Sequence, residues 1–263
     1  MTFSFGDPSA GLHGLARLGL SGSGGSALAV LFDGREPVTT LARGGLAVDA
    51  GADFERLELD GLATTVEEPL QRWTLRIGDD ELIFEATGPP ADIEPSEPLA
   101  RAGGMAGYEQ LCRVHGTVRG HEVRCLGQRG HTWGEPDWER IESTRSLAAW
   151  LDDGSGVVLS AVRPAGASGH ESEATWAALL GAGGSLRVDE PRLSTTYDEG
   201  GRQRRAGLEL WVGDDDGYPR RATGEVVCGS TLDLGELRLD CAFVHWRMDG
   251  RSGGGRYDVL RRA

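Results

Sequence analysis

Residues 110–127 read QLCRVHGTVRGHEVRCLG, and this stretch decides the fold. Apolar and polar side chains alternate on both sides of Arg119-Gly120, as in two half-buried strands joined by a tight turn. The predicted hairpin pairs Val118 with His121, His115 with Arg124, and Val114 with Cys125. This hairpin indicates an antiparallel sheet in the middle of the chain.

Short alternating runs of the same kind recur along the rest of the chain and are bounded by Gly, Asp and Pro. Their spacing predicts an all-β protein, an antiparallel barrel or sandwich, with few short helices. One such helix is possible around residues 171–181. The proline-rich residues 88–104 are interpreted as a long loop, and the Pro/Gly/Ser-rich residues 164–174 as a soft domain boundary.

Composition excludes several classes of function. The net charge of −14 disfavours a nucleic-acid partner, because phosphate binding requires a basic surface. The sequence contains no Lys, which excludes a Schiff base, a pyridoxal anchor and a Walker-type phosphate loop. The acidic run 214–216 before Gly217 is interpreted as a solvated turn.

The sequence shows neither a signal peptide nor a transmembrane segment, so we expect a cytoplasmic protein with four reduced cysteines. Cys112, His115, His121, Cys125 and His131 resemble a set of metal ligands. In the predicted hairpin, however, His115 faces away from Cys112, His121 and Cys125, and His121 lies about 13 Å from Cys125 along one strand. We therefore predict no metal site and no cofactor.

The densest group of reactive side chains is GQRGHTWGEPDW at residues 127–138. His131 and Trp133 are two residues apart and share a face of an extended strand, so a proton donor would lie beside an indole. Glu109 and Asp137 are the nearest carboxylates that could tune its acidity. The alternative is structural, with a hydrogen-bonded buried histidine and two core tryptophans, Trp133 and Trp138.

Residues 107–138, GYEQLCRVHGTVRGHEVRCLGQRGHTWGEPDW, resemble the signature of a tandem lipocalin-like (calycin) family. That family includes carotenoid hydratase (hydroxyneurosporene synthase), AttH-like proteins and related terpenoid and polyketide cyclases. The matching positions are Tyr108, Glu109, Gly116, Thr117, Val118, His131, Trp133 and Gly134. Gly130 departs from the family pattern, which has Asp before the histidine. Residues 156–162, GVVLSAV, stand where the hydratase has a Tyr-x-Asp pair.

The resemblance implies two consecutive antiparallel lipocalin-like barrels, which we place at residues 1–165, with the HxWG motif, and 166–263. It also implies that His131 is the acid–base residue and that Trp133 faces a cation. We therefore expect a cofactor-free enzyme that cyclises, isomerises or hydrates an isoprenoid or polyketide in an apolar pocket. The alternative is a non-catalytic protein that binds a lipid or another small hydrophobic molecule.

In this hypothesis His131, Glu109 and Asp137 are catalytic, while Trp133, Trp138 and Tyr108 bind substrate. An apolar pocket lowers the pKa of a histidine, and a carboxylate beside it raises that pKa again. With Glu109 as that neighbour, we expect His131 to titrate near neutral pH.

Overall fold

The computed structural model describes residues 1–167, 169–213 and 217–263, and nearly all of its regular structure is β-strand. The acidic run 214–216 lies outside the described residues. The strands are β1 (Thr2–Asp7), β2 (Leu12–Ser21), β3 (Gly24–Asp33), β4 (Glu36–Leu46), β5 (Arg56–Leu59), β6 (Leu62–Glu68), β7 (Arg72–Ile77), β8 (Asp80–Ala86), β9 (Ala91–Ile93), β10 (Met105–Val118), β11 (His121–Gly134), β12 (Ile141–Leu151), β13 (Gly156–Pro164), β14 (Ala174–Gly181), β15 (Gly184–Arg187), β16 (Glu190–Tyr197), β17 (Gln203–Trp211), β18 (Arg220–Asp233), β19 (Leu237–Met248) and β20 (Arg251–Arg262). A short helix, α1 (Pro98–Gly103), and a single 3₁₀ turn (His170–Ser172) complete the described elements.

The first sheet is a nearly closed antiparallel barrel. Its strand order is β4-β3-β2-β1-β11-β10-β8-β7-β6-β5, with β9 beside β10. The two edges approach where Gly25 of β3 meets Leu59 of β5, since a Cβ built on Gly25 would lie 2.8 Å from the leucine side chain. Apolar residues from all these strands except β9 fill the interior or pack against it, among them Phe3, Trp73 and Phe84.

The second sheet is a second antiparallel barrel, so the predicted fold class is confirmed. Its order is β15-β14-β13-β12-β20-β19-β18-β17-β16. The connection between β15 and β16 joins its edges. There the Val188 N–H donates to the Ala177 carbonyl at 3.0 Å, and the Asp189 N–H donates to the Trp211 carbonyl at 2.9 Å. Trp246 is one of the large side chains that fill this barrel.

The hairpin of β10 and β11 has the predicted register. Val118 pairs with His121 and His115 with Arg124, and the ladder continues without a shift to Met105 and Gly134. Arg119 and Gly120 have φ values of 51° and 78°, as a two-residue turn with the twist of the strands requires.

Three expectations differ from the structure. The chain changes sheets between Gly134 and Ile141, whereas the expected boundary at residue 165 falls between two paired strands of the second sheet. Residues 88–104, which were expected to form a loop, contain β9 and α1. Pro98 is compatible with α1 because it lies in the first turn of the helix, where its missing N–H costs little free energy. Residues 174–181 form β14 rather than a helix. This strand lies between β13 and β15 with both faces largely covered, so its apolar residues do not alternate with polar ones.

The two barrels pack against each other through two apolar clusters. One joins β2 and β3 to β18 and β19, and Leu15, Phe32 and Phe243 lie in it. The other joins β9, α1 and β10 to β12, β13 and β14 around Leu111 and Trp150. The β10–β11 hairpin therefore has one face in the first barrel's interior, while its other face meets the second barrel around Leu111 and is exposed toward the turn. No helix in the described part of the chain is long and apolar enough to cross a membrane.

Candidate active site

A row of four residues crosses the first barrel on the face that meets the second barrel. Arg17 of β2 pairs with Thr2 of β1, Thr2 with Gly130 of β11, and Gly130 with Glu109 of β10. Residues in register across neighbouring strands point to the same side of a sheet. The two long charged side chains therefore share one face, with a threonine and a glycine between them.

Glu109 depends on Gly130 for its space. A Cβ at position 130 would lie 2.3 Å from the Glu109 Oε2 atom and 2.8 Å from its carboxyl carbon. The carboxylate thus occupies the volume that a side chain at position 130 would fill. A carboxylate from the neighbouring strand therefore lies above Gly130.

Gln128 holds the Glu109 carboxyl in a fixed orientation. Its side-chain oxygen accepts hydrogen bonds from Ser4 Oγ at 3.2 Å and from Arg256 Nε at 3.0 Å. Its amide nitrogen is thereby left to donate to Glu109 Oε2. Glu109 is only 8% exposed, and burial raises its pKa from 4.5 to about 7 against the opposing charges of Arg256 and Arg17. Near neutral pH this carboxyl can both give and accept a proton.

The second barrel supplies the other half of the charged network. Arg256 of β20 donates to Asp258 at 2.6 Å and to Ser146 at 3.1 Å, both through Nη1. The Asp258 carboxylate also accepts from Arg17 of the first barrel at 2.5 Å. This network crosses the contact between the barrels and fixes Glu109 relative to β20.

A cavity of about 240 Å³ lies between the barrels and is bordered by Glu109. Most of its other walls are apolar, from α1, β9, β10, β13 and the connection after β11. Trp138 in that connection contributes an indole, and Leu99 and Val162 contribute aliphatic surface. An engineered protein cavity of about 150 Å³ holds benzene, so this one has room for a larger organic molecule.

His131 lies on the opposite face of the hairpin from Glu109. It pairs with Tyr108, and its ring is 5.8 Å from that of Trp133 and 5.0 Å from that of Phe54. The expected neighbour, Glu109, faces away from this aromatic cluster. Burial, reinforced by the N-terminal amino group and then by the Arg129 guanidinium, lowers the pKa of His131 from 6.5 to about 4. The pKa of His131 thus lies below the expected near-neutral value, because the ring is buried and the ionisable groups beside it are basic rather than a carboxylate.

The other predicted site residues are also divided between the aromatic cluster and the cavity. Tyr108 and Trp133 belong to the aromatic cluster around His131, and Trp133 is 50% exposed. Trp138 joins Glu109 at the cavity. Asp137 lies exposed in a turn, where its Oδ1 accepts from the Glu139 N–H at 3.0 Å. The structure thus brings Glu109 and Trp138 together and leaves Asp137 outside both groups.

Arg17, Gln128 and Arg256 were not identified from the sequence. Each of these three residues is more than 100 positions from the next along the chain. No local pattern distinguishes them from other polar residues on strands. The register of the predicted hairpin was the usable signal. Extended by nine residues from Val118–His121, it pairs Glu109 with Gly130.

The four cysteines are free thiols, and burial raises the pKa of each to about 12. As predicted, Cys112 and Cys125 share the inner face of the hairpin, while His115 lies on the other face. Within residues 1–167, 169–213 and 217–263, no three His, Cys, Asp or Glu side chains form a group that could hold a metal ion. The described residues thus give no set of ligands from which to build a metal centre.

Comparisons with known proteins agree on the fold. A family model described as "Domain of unknown function (DUF7064)" matches residues 1–263. A search of curated proteins finds no match to this chain. Among solved structures, a putative AttH from Nitrosomonas europaea is 17% identical with a TM-score of 0.66, and the alignment covers 98% of this chain and 90% of that one.

Two further structures are similar over nearly the whole chain. Kievitone hydratase from Nectria haematococca is 10% identical with a TM-score of 0.64, covering 99% of this chain and 88% of that one. CghA, solved with Sch210972, is 12% identical with a TM-score of 0.61, covering 99% and 87%. At these identities the likeness shows a shared fold.

Proposed function

The chain belongs over its whole length to the DUF7064 family, and for it we propose a cofactor-free enzyme that transfers a proton to and from a small hydrophobic substrate. Glu109 carries the proton in the cavity between the barrels, and Trp138 packs against the substrate. The observation that carries this proposal is a buried carboxyl with a pKa of about 7 on the wall of a largely apolar cavity. Perturbed carboxyls in such places are typical of general acids and bases.

The reaction we propose is hydration, cyclisation or isomerisation at a carbon–carbon double bond of an isoprenoid or polyketide. Each of these needs a proton delivered to one atom and removed from another, which one carboxyl can do in turn. Two observations support this choice. The HxWG motif resembles that of carotenoid hydratases and related cyclases, and one structure of the same fold is named a hydratase.

We assign the proton transfer to Glu109 rather than to His131. With a pKa of about 4, His131 is uncharged at neutral pH and is therefore not in the protonated form that a general acid requires. It also faces the first barrel with Tyr108 and Trp133, away from the cavity. Asp137 is exposed and holds its own turn. These residues support the fold around the cavity in our proposal.

A non-catalytic binder of small hydrophobic molecules is the alternative that the same cavity permits. It would not explain the two features that keep Glu109 reactive, namely the space left by Gly130 and the single orientation imposed by Gln128. A binder would be more stable with an uncharged side chain at position 109, since burying a carboxyl costs free energy.

The test is proton transfer to carbon in D₂O. Wild-type protein is incubated with geraniol, farnesol and ortho-hydroxychalcone, and mass spectrometry detects carbon-bound deuterium or the addition of one water. We expect Glu109→Gln to lower the rate by about a hundredfold or more, because it keeps the shape and removes the proton.

His131→Gln is the matched control, because it makes a similar change on the other face of the same hairpin. We expect its rate to stay near that of wild type. Loss of activity in His131→Gln with full activity in Glu109→Gln would refute the assignment. Binding of a probe without any deuterium or water in the product would favour the binder.

A further inference from the structure

The cavity between the barrels is lined by more positive than negative groups. Among its lining residues in the described parts of the chain, the ionisable ones are Arg17, Arg145, Arg256 and Glu109. The Arg145 side chain points into the second barrel, where its guanidinium donates to Thr195 and Glu173. The guanidinium groups of Arg17 and Arg256 thus border a small and otherwise largely apolar space, together with a carboxyl that is partly protonated near neutral pH. An apolar environment strengthens the effect of each of these charges on a bound molecule.

The carboxylates behind the arginines balance only part of this charge. Arg17 and Arg256 share one partner, Asp258, at 2.5 and 2.6 Å. Arg145 is paired with Glu173 inside the second barrel. Whenever Glu109 carries its proton, the guanidinium groups of Arg17 and Arg256 face one carboxylate, that of Asp258, and the site has an excess of positive charge.

Some donor capacity of these arginines is also unused. The Nε atom of Arg17 is buried and has no hydrogen-bond partner among the described residues. A buried donor without an acceptor costs free energy, and an oxygen atom of a ligand would relieve that cost.

This charge distribution discriminates between two kinds of chemistry. Protonation of a plain hydrocarbon double bond creates a carbocation, which fixed guanidinium groups in an apolar space would destabilise. Addition to a conjugated carbonyl instead creates an oxyanion, which the same groups would stabilise. The geometry therefore favours a substrate whose developing charge is negative.

We propose that the substrate of this cavity is a hydrophobic molecule with a conjugated carbonyl or enol oxygen, as in polyketides, and that Arg17 and Arg256 stabilise its developing oxyanion. This inference rests on the proposed function and selects one of its two substrate classes. It assigns a role to Arg17 and Arg256, which lie outside the HxWG motif.

Hydration of such a substrate proceeds through an oxyanion. A water oxygen forms a bond to the β-carbon, and the π-electron pair moves through the α-carbon to the carbonyl oxygen, which the arginines hold as an oxyanion. As the carbonyl re-forms, the α-carbon takes the proton from Glu109. The proton lost by the attacking water then returns to the Glu109 carboxylate. A hydroxyl of the substrate can replace water, which gives cyclisation.

The test uses three unreactive probes of the same shape, namely phenylbutyrate, phenylbutanol and phenylbutylamine. Their affinities for wild-type protein are measured by isothermal titration calorimetry at neutral pH. We expect the anion to bind about tenfold or more tighter than the alcohol, because charge-assisted hydrogen bonds exceed neutral ones, and the ammonium to bind most weakly. Tightest binding by the ammonium, equal affinities or no binding by any probe would overturn the inference.

Arg17→Gln should remove most of the preference for the anion and leave the affinity for the alcohol unchanged. Arg43→Gln, which alters an exposed arginine on β4, is the matched control and should keep the preference. The wild-type comparison of three probes remains decisive if Arg17→Gln does not fold. If wild-type protein prefers the anion and Glu109→Gln keeps full activity, the proposed function alone is refuted. If wild-type protein shows no preference for the anion and Glu109→Gln loses activity, the substrate class alone is refuted.

Discussion

Replacing Glu109 by Gln should change how the stability of the protein depends on pH. Burial raises the pKa of Glu109 from 4.5 in an unfolded chain to about 7 in the folded one. The folded state therefore holds this proton more tightly than the unfolded state. The stabilisation is fully present below about pH 4.5 and is lost as the pH rises through about 7.

The size of the effect follows from the two pKa values. The difference between 4.5 and about 7 corresponds, at about 1.4 kcal/mol for each pKa unit, to about 3 kcal/mol in total. About 2 kcal/mol of this falls between about pH 5.5 and about pH 8, where most of the titration takes place. Gln has the same shape and no charge, and its oxygen can still accept from the Gln128 amide.

The assay is urea unfolding of wild type and Glu109→Gln at those two pH values. The unfolding free energy of the variant minus that of wild type should rise by about 2 kcal/mol from the lower to the higher pH. Other titrating groups are common to both proteins and cancel in the difference. Glu135→Gln, a change at an exposed glutamate, should show no such rise. Parallel pH profiles for wild type and Glu109→Gln would refute the reasoning, because they would mean that Glu109 titrates alike in both states.

Three other predictions concern the residues around the site. Gly130→Ala should lower turnover in D₂O as far as Glu109→Gln does, because its Cβ would lie 2.3 Å from Glu109 Oε2; a wild-type rate would show that the carboxyl has room to move. The His131 ring protons in an NMR titration, assigned with His131→Gln, should show no shift between about pH 6 and pH 8, since the pKa is about 4; a transition near 6.5 would contradict this. A disulfide-exchange reagent at about pH 8 should label the native cysteines slowly and all four rapidly in urea, because burial raises each thiol pKa to about 12; rapid labelling of the native protein would place a thiolate at the surface.

Part of the site was already contained in the sequence. The Arg119-Gly120 turn sets the register of β10 and β11, and that register puts Glu109 opposite Gly130 and Tyr108 opposite His131. Adjacent residues of a strand face opposite sides, so the same ladder separates Glu109 from His131. The prediction that these two residues act together relied on their closeness along the hairpin and ignored the face on which each lies.

The alternating pattern by itself determined that the chain is all-β and antiparallel, because alternation and tight turns are local properties of a few residues. Only the tertiary structure decided that the outer face of the hairpin meets the second barrel. The outer face is covered around Leu111 and exposed toward the turn, so the hydrophobic pattern identifies the inner face but not what covers the outer one. Only the tertiary structure brought Arg17, Glu109 and Arg256 to one cavity, since that depends on pairings of β1 with β11 and of β12 with β20 across more than 100 residues. Such contacts form when distant strands meet, and no short stretch of sequence encodes them.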